Sequence, residues 1–257
     1  MTLNMKSIIN WKIFLILLAL SLISVMCVFP YVLTIQGVAI QKIGQPIWVL
    51  FVAQFIQSAL LFSVTIFFGL FFTKKIGFRI PLIEAALNTG NRQKVLKDIF
   101  GSSVLLGFAT AISIYLVDML FTALGSGIST HQDYAPVWQK LLAAVYGGTT
   151  EEILMRLFLM SFFIWIGMKV FKKDRPTSAG IIISIILAAI IFGLGHLPIT
   201  ASLTTLSPLV IARAVVLNGI GGIVFGWLFW KKGLESAMIA HFTADIFLLT
   251  LLPLVFA

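Results

Sequence analysis

The sequence predicts an all-α fold, a polytopic bundle of about seven to eight membrane-spanning helices. Three observations predict it. The 257 residues are 60% hydrophobic and 11% charged, with a mean hydropathy of +1.09. Soluble domains run about 45–50% apolar and about 25% charged, so one soluble core could not hide this much apolar surface. The apolar residues gather in runs near the roughly 20 residues that a span requires. The lysines and arginines fall in alternate connections between those runs.

The runs are Trp11–Ile35, Ile47–Phe72, Ile99–Leu124, Trp138–Met168, Ala179–Leu197, Leu209–Trp230 and Ser236–Phe256. The first exceeds the about 7–15 apolar residues of a signal peptide, and no small-residue cleavage site follows it, so it reads as an anchor. It holds Cys27, the single cysteine. A lone cysteine makes neither an intramolecular disulfide nor a thiolate cluster. Between the second and third runs, Thr73 to Asp98 contains "IPLIEAALNTGN". Pro81 can open a short helix there, and Asn88-Thr89-Gly90 can close it. A surface helix is the plain reading and a substrate gate the sharper one. The fourth run is too long for a simple span and is expected to begin or end at an interface. In the sixth, Gly222 and Gly226 are four apart, a spacing that lets helices approach closely, within the bundle or to a second copy. No repeat or long linker divides the chain, which reads as one domain over 1–257.

The net charge is +9. Lys6 and Lys12 precede the first run, and Lys42 alone follows it. The next connection has Lys74, Lys75, Arg79, Arg92, Lys94 and Lys97, and the third has Lys140 at its very end. The fourth has Lys169, Lys172, Lys173 and Arg175, the fifth none, and the sixth Lys231 and Lys232. Rich and poor connections alternate. Positive charge accumulates on the cytoplasmic side, which predicts a cytoplasmic N-terminus and an external C-terminus. Charge arranged this way suits topology and anionic lipid, not nucleic acid. The lipid bilayer is therefore the first expected partner; the oligomeric state is open.

An ionisable group at membrane depth costs at least about 2.5–3.5 kcal/mol and marks a functional site by default. The runs contain Asp118, Glu151, Glu152, Arg156, His196, Arg213, His241 and Asp245. Glu152 and Arg156 are four apart on one helix and can pair. His241 and Asp245 share a face in the same way, as do Phe192 and His196. Glu151 points about 100° away from Glu152 on a regular helix. Asp118 and Arg213 have no patterned neighbour and read as structural or interfacial. A structural ion pair would account for Glu152–Arg156 alone, a helix cap for His196, and a packing hydrogen bond for His241–Asp245. The conjunction of three clusters on three helices points instead to hydrolysis. A carboxylate in a dry site can take a proton from water and return it to a leaving amine. Histidines can steady an oxyanion or hold a divalent, zinc-like ion. Glu151, His196, His241 and Asp245 are the candidate metal ligands.

Glu151-Glu152-x-x-x-Arg156, Phe192-x-x-x-His196 and His241-x-x-x-Asp245 resemble, in order, the three motifs of the CPBP intramembrane proteases. That family includes the type II CAAX prenyl endopeptidases and the Abi and bacteriocin-immunity proteins. The resemblance covers about residues 138–257. It implies an integral membrane endopeptidase, in the plasma membrane of a prokaryotic cell, acting on a peptide, a prenylated chain or a membrane-protein segment. Glu151 would activate water, Glu152 and Arg156 support it, and His196 and His241 orient water or stabilise the oxyanion. Asp245 stands where asparagine is commoner. Both metal-dependent and metal-free mechanisms are argued for the family. The rival readings are a non-catalytic immunity or scaffold protein and a small-solute transporter. No His-Glu-x-x-His and no Gly-x-Gly-Asp occurs, and Gly125-Ser126-Gly127 has the wrong spacing for a serine site. One tension stands. His196 falls at the outer end of its span and His241 only about two turns into the seventh. A shared site requires the fifth helix to continue past Pro198, the seventh to start deeper, or the helices to tilt.

Overall fold

A computed structural model describes residues 9–127 and 135–252. Lys6 and the end of the seventh run, residues 253–256, lie outside them. Among the described residues the chain is helical, with no strand. The elements are α1 (Trp11–Ile35), α2 (Gly37–Ile43), α3 (Ile47–Ile76), α4 (Pro81–Leu87), α5 (Arg92–Ala123), α6 (Val137–Tyr146), α7 (Ser161–Val170), α8 (Ser178–Gly195), α9 (Leu197–Leu203), α10 (Pro208–Lys232) and α11 (Leu234–Ile246). Between α6 and α7 the helix widens into π-helical turns, Gly147–Glu151 and Ile153–Met160, and α11 runs into another, Phe247–Leu251. Seven helical stretches are long and apolar enough to cross a membrane, and the protein is an integral membrane protein. Their outward faces carry Leu15, Ile23, Leu60, Leu105, Leu116 and Ile183, all exposed. An apolar surface of this extent marks contact with lipid.

Polar side chains start four of the five long helices, α3 excepted. Asn10 accepts from the backbone N–H of Lys12 and Ile13, Asn91 from Lys94, Thr177 from Gly180 and Ser207 from Val210. Each cap satisfies an N–H that the helix cannot. The core gathers on the inner faces of α3, the π-helical span, α8, α10 and α11. Ile66, Ile153, Leu157, Met160, Leu228 and Leu234 are buried there. α8 and α10 lie side by side because glycine removes the side chain at their crossing. A Cβ on Gly222 would stand 2.6 Å from that of Ala189, and one on Gly226 3.1 Å from Ile185. The pair predicted to permit close packing thus packs within the bundle.

The depth mismatch is resolved twice over. The fifth span runs from Ser178 to Leu203, broken only by a turn at His196. Pro198 sits in the first turn of α9, where its missing N–H costs nothing. The seventh span starts inside the protein: Leu234, Ser236 and Ala237 are fully buried. α4 covers them. Glu235 Oε1 accepts from the backbone N–H of Leu82 and Ile83, and Leu234 N–H donates to the Arg79 carbonyl. The expected surface helix opens at Pro81 and is capped by Asn88, with none of its residues fully buried, and it also packs on the start of α11.

Asp118 and Arg213, unpaired by any sequence pattern, meet each other. Arg213 Nε donates to Asp118 Oδ1 at 2.6 Å between α5 and α10, and both side chains are buried. Removing one partner of a buried pair strands the other, at about 3–5 kcal/mol, whereas replacing both by apolar groups is often neutral. Arg213→Leu is therefore expected to lower the melting temperature in detergent markedly. The double variant Asp118→Leu/Arg213→Leu is expected to recover most of that loss in the same assay.

Candidate active site

The fourth span supplies the first cluster. Gly147 and Gly148 open its π-helical turn at the closest approach of α11. A Cβ on Gly147 would overlap Asp245 Oδ2, and one on Gly148 would lie 2.7 Å from Phe242 Cβ. A π turn inserts an extra residue into the helix and recurs at functional sites. It also lessens the angle between successive side chains, and the two adjacent glutamates address one histidine as a result.

That histidine is His241. Its Nδ1 donates to Glu152 Oε1 at 2.7 Å. Its Nε2 looks the other way, 3.8 Å from Glu151 Oε2 and 3.6 Å from Asp245 Oδ2. An ionised carboxylate only accepts, so the Nδ1–H···Glu152 bond sets the tautomer and leaves Nε2 facing the other two acids. Glu152 Oε1 also lies 3.0 Å from Arg156 Nη1. This contact is ionic, since Nη1 makes no aligned hydrogen bond. Arg156 Nη2 donates to the Gly222 carbonyl at 3.2 Å. The Phe192 and Phe225 rings lie 5.2 and 5.5 Å from the guanidinium carbon.

Exposure divides the acids. The Glu152 side chain is 0% exposed and Arg156 2%, whereas Glu151 and Asp245 are 23% and 21% exposed. Glu152 is a sealed carboxylate, and Glu151 and Asp245 reach accessible space. A cavity of about 450 Å³ flanks the same turn, between α5, α6 and α11, lined by Phe100, Val104, Val145, Gly148, Met238 and Phe242 among others.

His196 does not join the cluster directly. Its Nδ1 donates to the Phe192 carbonyl at 2.8 Å. The Phe192 ring stands edge-on between the two histidines, 4.7 Å from His196 and 5.9 Å from His241. Among the described residues, no carboxylate oxygen lies within 4 Å of a His196 ring nitrogen. Three expected groups thus surround His241 at once, Arg156 supports them from behind, and His196 lies one aromatic ring away.

The metal expectation meets no ready ligand set. Among the described residues, no three His, Cys, Asp or Glu side chains converge as metal ligands. His241 Nδ1 and His196 Nδ1 are committed to Glu152 and to a carbonyl.

Residues 133–247 match the family model described as Type II CAAX prenyl endopeptidase Rce1-like. The second half of the chain is similar to that family. The match covers a little under half of the 257 residues, and it spans all three motifs and the whole cluster around His241. Neither the curated proteins nor the solved structures yielded a match. The Rce1-like match supports a CAAX-type intramembrane protease, a hydrolase of membrane-associated substrates.

Several supports of the Rce1-like site carry no signal in the sequence. Thr150, beside Glu151, hydrogen-bonds through its hydroxyl to Ser24 of α1 at 2.7 Å, with both residues buried. Phe225 and the Gly222 carbonyl come from α10, between the second and third motifs. The one available hint was the doublet Gly147-Gly148, separated from the glutamates by Thr149 and Thr150.

Arg156→Ala leaves Glu152 buried with His241 as its remaining partner. A loss of about 3–5 kcal/mol is expected for such a stranded charge, read as a large drop in melting temperature in detergent. An unchanged melting profile would show that Glu152 does not depend on the arginine.

Proposed function

We propose that the chain is a CAAX-type intramembrane endopeptidase in which Glu151 activates water beside His241. The observation that carries this is the 3.8 Å gap between Glu151 Oε2 and His241 Nε2, at an accessible point next to a sealed Glu152–Arg156 pair. A water seated beside this gap can hydrogen-bond to both atoms at once.

In this reading the substrate carbonyl enters above the gap. Glu151 takes a proton from water as the water oxygen attacks the carbonyl carbon. The proton passes from Glu151 to the leaving nitrogen as the C–N bond breaks, giving a free carboxylate and a free amine. His241, held at Nδ1 by Glu152, turns Nε2 toward the same water, and in its doubly protonated form it donates to the oxyanion. Asp245 orients Nε2 from the other side. Arg156 holds Glu152 in place, so that Glu152 accepts from His241 throughout. His196 supports the Phe192 wall of the site. A metal bound here would supply a Lewis acid, with Glu151, His241 and Asp245 as the donors nearest one another.

The substrate class follows from surroundings and family. The site lies at membrane depth, and the cavity beside Gly148 is walled by Phe100, Val104, Met238 and Phe242. It suits an apolar chain attached to the peptide, as a prenylated C-terminus would present. The alternation of Lys and Arg places the N-terminus in the cytoplasm in this reading.

Glu151→Gln is expected to abolish cleavage of a quenched fluorescent prenyl-peptide in proteoliposomes, while the melting temperature stays within a few degrees. Turnover at the wild-type rate would remove Glu151 from the reaction. Overnight treatment with a strong chelator, with elemental analysis alongside, tests the metal. Activity that survives at full rate with no metal present is the expected result, and loss restored by zinc would assign Glu151, His241 and Asp245 as ligands.

A further inference from the structure

Phe225 lies on α10, outside all three motifs, and is 2% exposed. Its ring stacks on the imidazole of His241, with centroids 4.6 Å apart and planes 20° apart. The Arg156 guanidinium carbon stands 5.5 Å from the same ring. The two cationic-capable groups that share Glu152 Oε1 therefore both rest on one aromatic side chain. The other buried aromatics of α10 play no such part: Phe229 packs edge-on against Phe78 at the Lys/Arg-rich end of the bundle.

A hydrogen bond at Nδ1 fixes one point of the imidazole and leaves the ring free to swing about it. A flat wall removes that freedom. Gly147 closes the opposite edge, since a Cβ there would stand 3.2 Å from His241 Nε2. The Phe192 ring meets His241 edge-on at 86° and sets no plane for it. The ring face of an aromatic also carries negative potential, which favours a cation above it. Phe225 thus holds the plane of His241 and backs Arg156 with one surface.

We propose that Phe225 is the positioning residue that sets the plane of His241, aiming Nε2 at the gap between Glu151 and Asp245. The kinetic part of this proposal rests on the peptidase reading, and the geometric part does not. Phe225 touches no substrate in it and acts through His241.

The test uses the full-length protein in nanodiscs, with histidine-selective isotope labelling. The His241 signals are assigned by their loss in His241→Gln. Protons over a ring face are shifted upfield by its ring current, so the wild-type His241 ring signals are expected well upfield of those of the other histidines. Phe225→Leu and Phe225→Met are expected to lose that shift. Their kcat on a prenyl-peptide is expected to fall about 10²-fold, the cost of a misplacement near 1 Å, with KM held. Phe225→Tyr keeps the ring face and is expected to keep both the shift and most of kcat. Phe225→Met, unbranched and adaptable in a core, decides the matter if Phe225→Leu does not fold.

Wild-type His241 signals without an upfield shift overturn the proposal. So do ring-less variants with unaltered kcat, and so does Phe225→Tyr losing as much kcat as Phe225→Leu while the shift persists, because core volume alone would then explain the loss. A wild-type protein that cleaves no peptide but shows the shift, lost in Phe225→Met, sinks the peptidase reading and leaves the positioning intact.

Discussion

One carboxylate oxygen holds this structure together. Glu152 Oε1 receives His241 Nδ1 at 2.7 Å and Arg156 Nη1 at 3.0 Å, in a place with no measurable exposure. An isolated charge there would be costly beyond what packing could offset, so the pairings are obligatory. They bind the fourth span to α11, and the Arg156–Gly222 hydrogen bond adds α10. Three helices are locked in register by a group that never reaches solvent. Because Glu152 is sealed, Glu151 and Asp245 are left as the acids of the cluster with access, and His241 is placed between them.

The membrane sets the terms for everything around that oxygen. Lipid-facing surfaces must be apolar and every backbone group in the hydrocarbon must find a partner within the protein. The chain departs from regular α-helix at the His196 turn, which is partly exposed, and where protein covers it, at the π-helical turns of the fourth span and at the buried start of α11. The last is closed by α4, whose N–H groups bond to Glu235 and whose Pro81 packs on Gly233. A helix that starts below the surface brings His241 to the depth of Glu151 without a long lever.

The first half of the chain lies outside the family match, yet it is part of the same object. α1 reaches the residue beside Glu151 through the Ser24–Thr150 hydrogen bond. α3 reaches the same span further along through Thr73, which contacts Ser161 and the Leu157 carbonyl. Gly107 of α5 lets that helix press on Ala240 and Thr243 of α11. Small and hydroxylated residues recur at these contacts, as they do where helices pack without a hydrophobic driving force between them.

The spans were legible because apolar length and charge alternation are properties of the chain alone. So were the pairings of Glu152 with Arg156 and the proximity of His241 to Asp245, since four residues along a helix are neighbours whatever the fold. The closing helix of α4 was legible from Pro81 and Asn88. What the sequence could not express is any contact between distant segments: Glu152 to His241 across 89 residues, Asp118 to Arg213 across 95. The tertiary structure decided which glutamate is sealed and which is open. It decided that His196 stands behind Phe192, and that Phe225 rather than a motif residue lies against the imidazole. Those outcomes depend on how far a π turn rotates Glu151 and how deep α11 begins. Both are settled by packing across the bundle, which no local spacing encodes.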